Sequence, residues 1–269
     1  MLFDQPLMFN RLGAQNVNGM MYALRRDVIN MTSSKLLTQG GTAAPGDVAL
    51  RPDKSPRPLV LRVRVGDCLT VHFQNLLTPA ANPFNPPENR SGMPFELVKD
   101  NQVMDRRASF HVTGMQLVGN IADDGSNVGN NANSVVDVGN SVTYELYAEK
   151  EGQFVINSYG VTFGGEGQGG NTAGGLFGEL IVEPLNAAIY RGQLTREEME
   201  LATTGRSGLG HPIIDYEAVY PGVQQIPCAV GDVWCQEGKA GLPIINMIKG
   251  VSATGGEIVH SDINAVIAY

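Results

Sequence analysis

The sequence predicts an all-β protein built as an antiparallel sandwich or barrel. Several segments alternate apolar with polar residues, the period of two that is typical of strands with one buried face. Turn signals recur about every ten residues, which favours short strands in a sandwich or barrel. The 33 glycines and 15 prolines among the 269 residues supply those turns. A hydrophobic fraction of 42% and a charged fraction of 17% allow a substantial core and argue against wholesale disorder.

The clearest strand pair lies in residues 58–76, PLVLRVRVGDCLTVHFQNL. Every second residue from Leu59 is apolar until the turn at Gly66-Asp67. The alternation then resumes and places His72 on the outward face, where we expect a solvated side chain.

Further strands and the loops between them follow from the same signals. Loops rich in Pro, Asn, Asp or Gly are predicted at residues 77–100, 122–140 and 161–175, the last a flexible glycine-rich linker. Strands are predicted within residues 106–118, 141–150, 152–160 and 176–184.

The character of the chain changes after Pro184, so we predict one domain over residues 1–185 and an extension or linker over 186–269. Thr195 and Glu198 have the spacing of a helix capping box and predict one short helix. Short strands are expected in the rest of the extension. The chain stops directly after an apolar run, from which we expect a following domain.

Composition excludes several functional classes. The formal net charge is −8 and the basic residues are dispersed, whereas nucleic-acid binding needs a concentrated basic face. No apolar run reaches the about 18 residues of a membrane span. The first residues lack the pattern of a signal peptide.

The cysteines leave two readings open. Cys228 and Cys235 enclose the short segment CAVGDVWC, which closes as a disulfide in an oxidising compartment or holds two unpaired thiols in a reducing one. Cys68 begins a strand and is expected to be a semi-buried free thiol.

Several segments, taken in order, resemble the first cupredoxin domain of multicopper oxidases. RVRVGDCLTVHFQNLL is similar to the family's early strand pair, and SFHVTGMQL stands where the family has a His-x-His-Gly strand. EGQFVINSYG resembles the Gly-Thr-Tyr-x-Tyr-His-Ser-His strand, and GLFGELIVEP resembles the Gly-Leu-x-Gly-x-x-Ile-Val strand. DDG and VDVGNSVTYEL are similar to the family's Asp-Gly loop and the strand after it.

The nearest subgroup is the large bacterial multicopper oxidases linked to manganese or iron oxidation, which NRLGAQNVNGMMYALRRDV, LYAEKEGQF and EIVHSDINA resemble. The resemblance covers nearly the whole chain. It implies a cupredoxin-like Greek-key sandwich, an extracytoplasmic location, and a parent protein that transfers electrons to dioxygen at copper.

The resemblance also implies where copper ligands would stand. Two histidines at positions i and i+2 of a strand point to one side, and two such strands converge on a copper cluster. In this chain the first pair is His111 and Thr113, and the second is Asn157 and Tyr159. Imidazole is the donor that suits copper, so three of these four positions carry degenerate ligands.

Only isolated metal ligands therefore remain as candidates. His111 is a candidate lone copper ligand in a site shared with another domain, and His260 is a second, with Asp262 as a hydrogen-bond partner. The alternative for each is a structural histidine. None of the cysteines has the neighbouring histidines of a type-1 copper site.

The loop 123–137 is a candidate calcium site. Asp123, Asp124 and Asn127 offer hard oxygen ligands at short spacing. The alternative is a turn-rich loop whose side chains bond their own backbone.

Two functional hypotheses follow. The first is the N-terminal cupredoxin-like part of an extracytoplasmic multicopper oxidase, with most copper ligands outside this chain and further domains as its partners. The second is a non-catalytic, self-assembling protein that kept the sandwich, lost the copper and associates through strand edges, with calcium as a candidate ion.

Overall fold

The computed structural model describes residues 1–16, 19–79, 106–160, 170–222, 238–252 and 255–269. The helices in these ranges are short: 3-10 turns at Arg25–Asp27 and Ile121–Asp123, α1 (Gly170–Ala173) and α2 (Arg196–Leu201). The strands are β1 (Leu2–Asp4), β2 (Leu7–Met8), β3 (Gln15–Asn16), β4 (Met20–Tyr22), β5 (Val28–Asn30), β6 (Val48–Leu50), β7 (Leu59–Arg64), β8 (Cys68–Gln74), β9 (His111–Val112), β10 (Gln116–Leu117), β11 (Ser141–Tyr147), β12 (Gly152–Asn157), β13 (Phe177–Glu183), β14 (Ala188–Arg191), β15 (Thr203–Arg206), β16 (Pro212–Ile214), β17 (Ile248–Ser252), β18 (Gly255–Ile258) and β19 (Ala265–Ala268).

Two sheets enclose the main core. One has the order β7-β13-β12-β9 and the other the order β10-β11-β8. Apolar side chains from both sheets form one buried cluster, in which Leu61 and Leu180 of the first sheet meet Phe73 and Tyr144 of the second. The alternation that the sequence shows in β7 and β8 directs every second side chain into this layer. The predicted fold class, an all-β sandwich, is confirmed.

The detail of the sheets adds two features to the prediction. β13 pairs with β7 in parallel, so that sheet is mixed, while the pairs β11–β8, β12–β13 and β12–β9 are antiparallel. The helix α1 occupies the end of the segment that was expected to be a flexible linker, so that expectation is wrong for residues 170–173. The amide of Asn171 in α1 donates to the carbonyl of Arg107, which ties this turn to the sandwich.

Residues 186–222, 238–252 and 255–269 contain their own small apolar clusters, one around Tyr220 and Ile244 and one around Ile189 and Met247. The predicted helix is confirmed as α2, where Thr195 and Glu198 close the capping box. The division into 1–185 and 186–269 stays a prediction.

Arginines of the sandwich hold the following residues by polar contacts. Arg62 is paired with Glu183 and donates to the carbonyl of Ile263 at 2.8 Å. Arg64 donates to the carbonyl of Ala187. Both arginines lie on the edge strand β7, so hydrogen bonds connect the edge of the first sheet to the chain that follows β13.

We predict that Leu180→Ala lowers the free energy of unfolding by about 2 to 5 kcal/mol, because Leu180 is fully buried between the two sheets and its removal leaves a cavity. The matched control is Val155→Ala on the neighbouring strand β12, where the side chain is 58% exposed and the change should stay within about 0.5 kcal/mol. Urea unfolding of both variants measures the difference, and equal losses would contradict this account of the core.

Candidate functional site

The register of β9 against β12 brings the four family ligand positions together. His111 lies directly opposite Asn157 in the antiparallel pair. The Thr113 hydroxyl oxygen is 3.5 Å from the Asn157 amide oxygen. The Tyr159 ring packs edge-on against the His111 ring, with 4.9 Å between centroids. One imidazole, one hydroxyl, one amide and one phenol therefore share this corner of the sandwich.

A buried carboxylate fixes the His111 ring. Nδ1 of His111 lies 2.8 and 2.7 Å from the two carboxylate oxygens of Asp124, a residue that is only 4% exposed. Because a carboxylate accepts, Nδ1 carries a proton, which leaves Nε2 as the ring nitrogen available to another group. No described residue bonds Nε2. A carboxylate behind an imidazole is the usual arrangement for a histidine that binds a metal or accepts a proton.

The local chain explains why Asp124 reaches this position. The turn Ile121–Asp123 starts at Asn120, which forms a capping box with Asp123. Gly125 then passes the backbone of Phe110 so closely that a Cβ atom would lie 2.5 Å from the Phe110 carbonyl oxygen. A residue with a side chain would push the loop away and withdraw Asp124 from His111.

The same contacts leave the proposed calcium site without support. Asp123 Oδ2 accepts from the backbone N–H groups of Gly119 and Asn120 at 2.6 and 2.8 Å, while Asp124 faces His111. Asn127 is exposed. The three side chains do not converge, and within the described ranges no group of three His, Cys, Asp or Glu residues is placed to hold a metal ion.

His260 stands in a different environment. It is buried, and its Nε2 donates to the carbonyl of Pro243 at 2.7 Å. The predicted hydrogen bond to Asp262 is wrong, because the Asp262 carboxylate faces Arg191 at 2.8 Å and Arg57 at 3.6 Å. Burial, together with the positive charge of Arg191, lowers the pKa of His260 to about 3. Its role as a copper ligand stays a prediction.

The remaining sequence candidates lie apart from this corner. His72 is exposed, as predicted, and contacts the Thr143 hydroxyl at 3.1 Å. Cys68 is a free thiol, as predicted, but it is exposed rather than semi-buried. Cys228 and Cys235 lie outside the described residues, so their disulfide stays a prediction.

Sequence reasoning missed a buried charge network in the chain after β13. Arg191 lies 3.2 Å from Glu198 and 2.8 Å from Asp262, and the Tyr220 hydroxyl donates to Glu198 at 2.5 Å. Burial alone would raise the pKa of Glu198, but Arg191 and the Tyr220 hydroxyl lower it to about 2. These residues are scattered between positions 191 and 262, so only the contacts among β14, α2 and the segment before β19 reveal the network.

None of the helices in the described ranges has the length and apolar character that crossing a bilayer requires.

Comparison with known proteins finds similarity to solved structures only. No protein-family model and no curated protein matches the chain. The blue copper oxidase of Nitrosomonas europaea is 20% identical over 48% of this chain and 30% of its own, with a TM-score of 0.31. A multicopper oxidase of Pseudomonas thermotolerans is 18% identical over 58% and 27%, with a TM-score of 0.30. The copper nitrite reductase of N. europaea is 14% identical over 69% and 41%, with a TM-score of 0.33.

The chain spans less than half the length of each of these structures. At these scores, the conclusions about this chain rest on its own residues.

We predict that His260 makes the fold sensitive to mild acid. Its pKa is about 3 in the folded chain and returns to about 6.5 on unfolding. Between these values the unfolded chain binds a proton that the folded chain does not, so this contribution to stability is complete above about pH 6.5 and is lost as the pH falls toward 3. Wild type should therefore lose unfolding free energy more steeply between about pH 7 and pH 5 than His260→Gln.

The control for this prediction is built into the substitution. A glutamine amide can still donate to the Pro243 carbonyl, but it does not titrate. The stabilising contribution of Glu198 is lost only at lower pH, since its pKa lies at about 2. Denaturant unfolding at each pH gives both profiles, and parallel profiles would contradict the buried neutral state of His260.

Proposed function

We propose that this chain is a cupredoxin-like scaffold part of an extracytoplasmic multicopper oxidase, in which residues outside this chain hold the redox copper. The parent protein would oxidise a metal ion, such as manganese or iron, or a phenol, and pass the electrons to dioxygen. The order of the family-like motifs along the sequence supports the family. The corner formed by β9 and β12 supports the scaffold role.

The single observation behind the scaffold role is the convergence of four ligand positions with only one imidazole among them. His111 faces Asn157, while Thr113 and Tyr159 complete the set. An amide, an aliphatic hydroxyl and a phenol are poorer donors for copper than imidazole and thiolate, which copper favours. The residues present do not fit a copper cluster built by this chain alone.

His111 is the exception within this corner. Asp124 fixes its tautomer and orientation, which is what a metal-binding imidazole requires, and Nε2 points away from that carboxylate. A second polypeptide segment that brings further imidazoles to this corner would find one oriented donor already in place. His111 is therefore the residue through which the scaffold would take part in a shared site.

A second candidate function is self-association without catalysis. It is favoured by solvent-exposed apolar side chains at the tip of the β2–β3 hairpin. Met8 and Phe9 are each 68% exposed, and Leu12 is 90% exposed. Exposed apolar groups grouped at one site are typical of interaction surfaces.

We predict that restoring imidazoles at the degenerate positions restores copper binding. The variant Thr113→His/Asn157→His/Tyr159→His adds three donors to a backbone that already directs these positions together. After incubation with Cu²⁺ and extensive dialysis, it should retain at least about one more copper per chain than wild type, because clustered imidazoles bind copper far more tightly than one. Elemental analysis of both proteins measures the difference.

Two further measurements sharpen this test. Adding His111→Ala to the triple variant should lower the retained copper, whereas adding His72→Ala, on an exposed strand elsewhere, should not. Tight binding of several copper ions by wild type alone would overturn the scaffold role.

An antibody raised against this chain should detect a copper-containing polypeptide longer than 269 residues in the source organism. A copper-free polypeptide of only this length would contradict the parent oxidase and favour self-association.

A further inference from the structure

The hairpin of β2 and β3 carries large apolar side chains into solvent. Residues 8–15 are all exposed, so the tip of this hairpin projects from the sandwich. Its large apolar side chains, Met8, Phe9 and Leu12, are each at least two-thirds exposed and fall within five consecutive positions. Side chains of this kind are usually buried, and a group of them in solvent is typical of an interaction surface.

Hydrogen bonds within the hairpin hold the tip in one conformation. The N–H of Phe9 donates to the carbonyl of Ala14 at 2.8 Å. The N–H of Gly13 donates to the carbonyl of Asn10 at 3.3 Å. The side-chain oxygen of Asn10 accepts from the N–H groups of Leu12 and Ala14 at 2.9 and 3.3 Å. Four backbone donors of the tip therefore have partners inside the hairpin and do not depend on water.

The base of the hairpin is attached to the sandwich. Leu7 packs on Gly175 so closely that a Cβ atom on the glycine would lie 2.8 Å from a Leu7 methyl carbon. The N–H of Gln5 donates to the carbonyl of Gly19 at 2.8 Å. The tip is therefore presented in a fixed position, and little conformational freedom remains to be lost when it binds.

The hairpin carries positive charge and no negative charge. The chain contains 27 Asp and Glu residues, but none of them falls within residues 5–16. The one charged side chain in that range is Arg11, next to Leu12. The carboxylate of Asp4, just before the hairpin, is paired with Arg106. The tip is thus apolar and cationic although the chain has a net charge of −8, and this combination favours an anionic lipid surface.

We propose that the tip of the β2–β3 hairpin inserts into the interfacial layer of an anionic lipid bilayer. Met8, Phe9 and Leu12 would enter the layer where headgroups meet acyl chains, and Arg11 would contact lipid phosphates. Backbone donors that already have partners in the hairpin lose none when water is excluded. This attachment goes beyond the scaffold role and does not depend on copper. It would hold the protein at a membrane surface without spanning the membrane.

A lipid surface suits this tip better than a second protein surface does. Stable protein interfaces use about 20 to 30 residues from each side. The tip offers only residues 8–15, of which three are large and apolar. Insertion into lipid needs no complementary surface, because each apolar side chain that leaves water contributes on its own. Self-association through the tip, the second candidate function, predicts instead a dimer that forms without lipid.

Co-sedimentation of the 269-residue chain with vesicles measures the attachment. Wild type should bind vesicles made of phosphatidylglycerol and phosphatidylcholine in equal parts. Phe9→Ser/Leu12→Ser should lower the partition constant at least about tenfold, because two large side chains no longer leave water. The matched control is Leu209→Ser/Ile213→Ser, which removes two exposed apolar side chains at the hairpin of β15 and β16 and should bind like wild type.

The lipid charge tests the role of Arg11. Arg11→Gln should weaken binding to the anionic vesicles about fivefold, because one cation near a charged surface is lost. Its binding to vesicles of phosphatidylcholine alone should equal that of wild type. Arg206→Gln removes an exposed cation from the hairpin of β15 and β16 and should leave binding to both kinds of vesicle unchanged.

A tryptophan at the tip tests insertion directly. On binding, the emission of Phe9→Trp should shift to shorter wavelength and be quenched by brominated acyl chains, beyond any change from Trp234 in wild type. Any of three results would overturn the proposal: no vesicle binding by wild type, equal binding by Phe9→Ser/Leu12→Ser, or no added quenching of Phe9→Trp. A lipid-free dimer that Phe9→Ser/Leu12→Ser converts to monomer, seen by sedimentation equilibrium, would assign the tip to self-association instead.

Discussion

The pairing of β9 with β12 fixes the geometry of the candidate site. Side chains alternate along a strand. A shift of one residue in this pairing would therefore turn His111 and Thr113 to the opposite face of the sheet from Asn157 and Tyr159. The buried side chains of Val112 and Ile156, which lie opposite each other in the core, stabilise this register. The core therefore decides which side chains meet at the surface, whatever their chemistry. Metal ligands can be lost from such a corner without loss of the fold.

The strands can be predicted because apolar and polar residues alternate within each short segment. Helix α2 can be predicted because its capping residues are three positions apart. The convergence of His111, Thr113, Asn157 and Tyr159 followed from family resemblance. The partners of buried polar groups were not predictable. Asp124 was assigned to a calcium loop because its neighbours are polar, yet it binds a histidine thirteen positions away. His260 was assigned the nearest carboxylate, yet a distant arginine holds Asp262 and leaves the ring to a backbone carbonyl.

Burial gives the charged groups after β13 a structural role that composition does not suggest. Arg191, Glu198 and Asp262 are each about one-tenth exposed, so their charges act on each other with little screening by water. Breaking such a buried group of charges is costly even where forming it gains little, because the remaining charge is left without a partner. A neutral His260 is the form that this cationic neighbourhood tolerates. A fall in pH should therefore destabilise this part of the molecule before it destabilises the apolar core of the sandwich.

At the candidate site, the backbone and the side chains obey different constraints. The core fixes how β9 pairs with β12, and of the four side chains that this pairing brings together only His111 is an imidazole. Restoring imidazoles at Thr113, Asn157 and Tyr159 therefore changes the chemistry of the site without changing the pairing of the strands that carry it.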